Sequence, residues 1–130
     1  MIVADASVIL ELLLRTPAGR RAESRLLDED ESLHAPALLD VEIAQALRRY
    51  EARGEISPER GRLALDLLAR LPVQRYSHEP LLPRIWALRR NLTAYDAAYI
   101  ALAEGLDATL VTRDARMASA PHHEATVELL

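Results

Sequence analysis

Four acidic residues in this chain have the types and the spacing to do chemistry together: Asp5, Glu42, Asp96 and Asp114. Asp5 closes the first apolar run, Ile2-Val3-Ala4, and Asp114 follows a second such run, Thr109-Leu110-Val111-Thr112. Glu42 and Asp96 fall in stretches with helical patterning. Carboxylates brought together repel one another, and at least one must then hold its proton more tightly than usual. A hard divalent cation removes that conflict, because such ions prefer oxygen ligands. A metal cage built from carboxylates suggests phosphoryl chemistry, with Mg²⁺ or Mn²⁺ as the cation. Mg²⁺ takes only one or two carboxylates directly and keeps several waters. Asp5 and Asp96 rank as the direct ligands on this reading, with Glu42 and Asp114 acting through water or at a second ion.

Each position also has a structural reading. Asp5 suits the N-cap of the helix that follows, although Ser7 offers an alternative cap. Glu42 lies in or beside an apolar arc formed by Leu38, Leu39, Ile43, Ala46 and Leu47, where its stem would pack and its head reach solvent. Thr93-Ala94-Tyr95-Asp96 matches a capping box, with the acid reaching back to the cap. Asp114 suits a turn. Ser7 and Thr112 add hydroxyls near two of the acids. That of Thr112 could meet a phosphate oxygen, a metal-bound water or a neighbouring carboxylate.

The elements that must position these residues alternate. Ile2 to Asp5 reads as a short strand and Ser7 to Leu14 as a helix. Thr16-Pro17 starts a helix running to about Asp28, since proline suits the first helical position. The acidic run Asp28 to Glu31 is a solvated turn. Leu33 to Ala35 reads as a strand, Pro36 opens a helix over Ala37 to Arg53, and Gly54 stops it. Ser57-Pro58 begins a helix whose apolar face is Leu63, Leu67, Leu68 and Leu71. Val73 to Ser77 is a strand and Leu81 to Arg90 a helix with an uncertain start at Pro83. Thr93 caps a helix to Glu104 that ends at Gly105. Thr109 to Thr112 and Thr126 to Leu129 are strands, with a turn or short helix over Arg113 to Ala118. Short strands, apolar on both faces and alternating with helices, indicate an α/β layer fold around a parallel sheet. Ligands of such sheets bind beyond the carboxyl ends of the strands, where strand order switches.

Composition narrows the classes. A chain of 130 residues reads as one domain. No stretch approaches the ~20 apolar residues of a membrane span, and a first run broken by Asp5 and Glu11 and lacking a basic start argues against a signal peptide. The expected location is the cytoplasm. The absence of cysteine excludes disulfides and thiolate metal sites. All 16 basic residues are arginine, so a Walker-type phosphate loop and lysine-based catalysis are excluded. A net charge of −4 lacks the basic excess of a general nucleic-acid binder. Arg15, Arg49, Arg113 and Arg116 stand near motif residues in sequence and are the candidates to meet a phosphate, with plain solvated surface as the default role. Tyr95 and Tyr99 are expected to pack in the core or at a dimer contact. His122-His123 reads as an exposed tail pair, and His34 and His78 carry no motif.

The order of these features resembles the PIN-domain ribonucleases, and most closely the VapC-type toxins of bacterial toxin–antitoxin pairs. The resemblance runs through Ile2-Val3-Ala4-Asp5-Ala6-Ser7-Val8 and Glu42-Ile43-Ala44-Gln45-Ala46-Leu47. It continues through Leu92 to Ala103 around Asp96 and through Leu110-Val111-Thr112-Arg113-Asp114. It implies a PIN-like three-layer α/β/α sandwich with a short parallel sheet over residues 1–130. It further implies metal-dependent endoribonuclease activity at Asp5, Glu42, Asp96 and Asp114, supported by Ser7 and Thr112. An RNA substrate, a cognate antitoxin and a homodimer follow from the same likeness. A catalytically silent PIN-like module that binds RNA or protein is the competing expectation.

Overall fold

The computed structural model describes residues 1–130. Its strands are β1 (Ile2–Ala4), β2 (Leu33–Pro36), β3 (Val73–Tyr76), β4 (Thr109–Thr112) and β5 (Val127–Leu129). Its helices are α1 (Ala6–Leu14), α2 (Pro17–Leu26), α3 (Leu38–Ala52), α4 (Pro58–Arg70), α5 (Leu82–Ala87), α6 (Ala94–Leu106) and α7 (Ala115–Ser119). The five strands form one parallel sheet in the order β3-β2-β1-β4-β5. Helices flank it, giving a three-layer α/β/α fold.

The order explains where a site can form. The chain moves outward from β1 to β2 and β3, then returns to lay β4 on the other side of β1. The switch therefore lies between β1 and β4, paired in register from Ile2–Thr109 to Ala4–Val111. The loops leaving these two strands diverge and open a crevice. Asp5 stands at one lip, and Thr112 to Asp114 at the other.

The central strands are buried throughout β1 and β2 and over Leu110 to Thr112 of β4. They anchor an apolar core of 28 residues that includes Val8, Ile9, Leu39, Ile43, Tyr99 and Ile100. α6 packs along β1, β2 and β4, while α1 packs against α2, α3 and α4. The α1–α2 junction is close. A Cβ on Gly19 would stand 2.4 Å from the Glu11 carbonyl oxygen, so only glycine lets the two backbones meet there. No helix is long and apolar enough to cross a membrane.

Several local expectations are corrected. The outer strands are not apolar on both faces, because β3 and β5 lie at sheet edges and stay partly open. Pro36 ends β2, a role its missing N–H permits at a strand end, and α3 starts at Leu38. Leu63 is 53% exposed, and α4 turns Ala64 inward beside the expected Leu68, with Leu67 and Leu71 packed partly buried against the core. The segment expected as one helix from Leu81 to Arg90 divides into a 3-10 turn, Glu79–Leu81, and the short α5. Pro80 and Pro83 each suit only a first turn, so the chain makes two starts. α2 ends at Leu26 rather than near Asp28. α6 passes through Gly105 and ends at Leu106, where Asp107 takes the left-handed conformation (φ 51°) usually given to glycine.

Candidate active site

Asp5 is buried at the end of β1 and takes the N-cap position of α1, but its side chain makes no capping bond. Its Oδ2 accepts two hydroxyl hydrogen bonds, from Ser7 Oγ and Thr112 Oγ1, both at 2.7 Å. Charge-assisted bonds of this kind fix a carboxylate firmly. They leave Oδ1 without a partner. Ser7 is not a cap either: it lies within α1, and its oxygen also accepts the Arg113 N–H at 3.0 Å. Thr112 is fully buried and accepts the Asp114 N–H at 3.0 Å. Of the three roles open to the Thr112 hydroxyl, the structure shows the contact with a neighbouring carboxylate. The two hydroxyls bind the lips of the switch point to one acid.

Glu42 projects from α3 and is half-buried. The Tyr99 hydroxyl, on α6, donates to its Oε1 at 2.7 Å. Burial, and then the charges of Asp5 and Asp96, push the Glu42 carboxyl above the ordinary range, with the Tyr99 bond opposing them. Burial above all pushes the Tyr99 phenol up, so it remains a donor.

Asp96 sits in the first turn of α6. Its N–H is accepted by the Thr93 hydroxyl at 3.2 Å, as the capping pattern predicts. The reciprocal bond, from the Thr93 N–H to its carboxylate, is absent, so the capping box is half-formed and the acid lines the cleft. Burial, then Asp5 and Asp114, raise its pKa. Asp114 caps α7 through a bond from the Arg116 N–H at 2.9 Å. Burial pushes its carboxyl up, but the Arg116 N–H, its guanidinium and the Met117 N–H together outweigh this and hold it low.

All four acids and Ser7 line one open cleft of ≈ 460 Å³. No three acidic or histidine side chains close on one point tightly enough to enclose an ion, so the set is an open ring and not a cage. Its donors are all oxygen, which suits a hard cation. A larger concavity of ≈ 570 Å³ between α1, α2 and α4 holds a single carboxylate, Glu23, and leucines make up half of its lining. Arg15 lines that concavity and not the cleft, whereas Arg49, Arg113 and Arg116 do line the cleft.

Two contributors escape a reading of the sequence. Glu11 adds a fifth carboxylate to the cleft wall, where it pairs with Arg113 and accepts the Thr16 hydroxyl. Its position four residues after Ser7, on the same helical face, was the available signal. Tyr99 is core, as expected, but its hydroxyl serves the site. Tyr95 is 64% exposed and is not core. The histidines lie elsewhere. His34 is buried between Ser32 and Tyr76, and His78 accepts the Leu38 N–H. His122 is exposed as expected, but His123 is half-buried and both its ring nitrogens lack partners.

The PIN domain model matches residues 2–122. The chain belongs to the PIN-domain family. It is 43% identical over 130 residues to ribonuclease VapC12 of Mycobacterium tuberculosis, covering 100% of this chain and 99% of that one. It is 47% identical over 117 residues to the VapC ribonuclease Mb0985 of Mycobacterium bovis, covering 90% and 88%. Among solved structures, PAE2754 of Pyrobaculum aerophilum superposes with a TM-score of 0.74 at 22% identity, over 97% of this chain and 81% of that one. VapBC2 of Rickettsia felis, solved with a promoter DNA fragment, superposes at 0.73 and 14% identity, over 99% and 98%. Both share the fold of this PIN domain.

Proposed function

We propose that the protein is a divalent-cation-dependent endoribonuclease and the toxin half of a toxin–antitoxin pair. The observation that carries this reading is the convergence of Asp5, Glu42, Asp96 and Asp114 at the β1–β4 switch point. Relatives named as VapC ribonucleases along the whole chain support the choice of RNA.

Asp5, through its unpartnered Oδ1, and Asp96 would hold the ion, and Glu42 and Asp114 would act through water or at a second ion. Bound there, Mg²⁺ or Mn²⁺ supplies a Lewis acid that acidifies water and offsets charge on the phosphate. The protein's own residues do the rest. Ser7 and Thr112 keep Asp5 oriented. The cleft holds no histidine and the chain no lysine, so carboxylates are the bases at hand. Glu42, half-buried and raised, is suited to accept a proton from the attacking water. Arg49, Arg113 and Arg116 offset the acidity of the cleft and give the RNA backbone a place to lie.

Solved neighbours described as toxin–antitoxin complexes, such as one from Klebsiella pneumoniae with a TM-score of 0.65, support an antitoxin partner, which on this reading would act by covering the cleft. A homodimer, the commonest oligomeric symmetry, and a cytoplasmic site of action complete the proposal. Purified wild type should cut single-stranded RNA only with Mg²⁺ or Mn²⁺ present, and Asp96→Asn should abolish cutting while leaving the fold intact. Full cleavage by the Asp96→Asn protein would defeat the assignment. Binding of RNA without cleavage by wild type would favour the silent module instead.

A further inference from the structure

We infer that Tyr99 is a positioning residue of the active site, whose hydroxyl fixes the Glu42 carboxylate so that Oε2 serves the cleft. This inference rests on the cation-dependent nuclease reading above.

Tyr99 has 0% exposure and sits within the apolar core. A site that needed only volume there would be filled equally well by phenylalanine. A buried tyrosine hydroxyl demands a partner, and here the partner is Glu42 Oε1 at 2.7 Å. The bond joins α6 to α3 across 57 residues of sequence. Tyr99 lies three residues beyond Asp96, one turn along the same helix. One bond thus ties the helix that carries Asp96 to the helix that carries Glu42.

The geometry has a chemical consequence. Glutamate has three rotatable side-chain bonds, and on its own would spread its carboxylate over several rotamers. The tyrosine occupies Oε1 and leaves Oε2 without a hydrogen bond. Holding one oxygen turns a mobile charge into an oriented acceptor, as partners behind metal-ligating side chains do.

The test compares wild type, Tyr99→Phe, Glu42→Gln and the double variant. Three quantities are read: the metal-free Tm, the Mn²⁺ concentration at the midpoint of the Mn²⁺-induced rise in Tm, and kcat and KM on a short single-stranded RNA. Removing an orienting partner typically costs about tenfold to a hundredfold in metal affinity or activity. Tyr99→Phe is expected to raise the Mn²⁺ midpoint and lower kcat by a factor in that range, with KM unchanged. In the Glu42→Gln background the same substitution should change neither. A Tyr99→Phe protein with wild-type midpoint and kcat overturns the proposal, whatever its metal-free Tm. So does a further loss of the same size on top of Glu42→Gln, which would mean that the ring acts through something else. If wild type shows neither a Mn²⁺ response nor cleavage, the nuclease reading itself falls, and the proposal with it.

Discussion

The Thr112 hydroxyl donates to Asp5 Oδ2 at 2.7 Å and accepts the Asp114 N–H at 3.0 Å, so one buried side chain links the first acid of the cleft to the last. Valine has nearly the same shape and no hydroxyl. Thr112→Val should therefore keep the packing while leaving the Asp114 N–H unpaired and Asp5 with one donor fewer. The expected cost is about 1–3 kcal/mol of stability, read by denaturant unfolding without metal, together with a loss of RNA cleavage. Ser7→Ala, at a half-buried position, should cost less. Equal stability of Thr112→Val and wild type would show that the link contributes nothing.

A second expectation concerns pH. Glu42 and Asp96 have raised pKa values in the folded protein, first through burial and then through neighbouring acids. The folded state therefore holds protons at pH values where the unfolded chain has released them. The stability these groups contribute is present below the ordinary carboxylate range and is lost as pH rises through their raised values. Glu31, Glu104 and Asp114 are shifted the other way and oppose this trend. The informative quantity is thus the difference between Asp96→Asn and wild type without metal. The amide should gain relative stability as pH rises from about 4 toward 7, and Mn²⁺ should shrink the gap by stabilising wild type. A gap independent of pH would contradict the electrostatic account.

Salt dependence tests how RNA is held. Arg49 lies two helical turns after Glu42, lines the cleft and makes no side-chain hydrogen bond or ion pair within the protein. Arg113 is engaged by Glu11, and Arg116 leans toward Asp114 at 3.4 Å. Arg49 is the cleft arginine freest to meet a phosphate. Arg49→Ala should weaken binding of single-stranded RNA and reduce the slope of log affinity against log salt by about 0.7, the value for one phosphate contact. An unchanged slope would remove Arg49 from the binding surface.

Packing gives a prediction remote from the acids. At Gly19 an added methyl group would strike the Glu11 carbonyl of α1. Gly19→Ala should destabilise the fold by about 1–3 kcal/mol, as overpacking does, and thermal unfolding checks it. Because Glu11 lines the cleft wall and pairs with Arg113, some loss of RNA cleavage should accompany the shift. A variant as stable as wild type would mean that α1 and α2 separate easily.

Much of this arrangement was legible from residues alone, for reasons that differ by position. Asp5 and Asp114 follow apolar runs, and in a parallel sheet strand ends face the crevice whatever the helices do. Thr93 and Ser57 announced their helices because caps are local chemistry, and both form the expected bonds. Leu63 misled because leucine suits a helix surface as well as its buried face. The end of α6 misled because Gly105 is compatible with a helix interior, while the tertiary fold placed the left-handed residue at Asp107. The Tyr99–Glu42 bond was hidden for a deeper reason. Ala97 to Ala103 is buried without interruption, so α6 has no polar face to set its phase. Which side chain meets which across α3 and α6 depends on packing angle, and periodicity within one helix carries no record of it.

The strand order also sets a timetable. β1 is made before β2 and β3, yet its other neighbour β4 is made only later, after α6 has delivered Asp96 and Tyr99. Synthesis proceeds from the N-terminus. A growing chain can pair β1 with β2 and β2 with β3, but Asp5 then faces an open sheet edge with no hydroxyl from Thr112. The cleft is completed only as the last strands dock. In the proposed nuclease, Asp5 thus gains its Thr112 partner, and the cleft its fourth acid, only once β4 and the turn after it have been made.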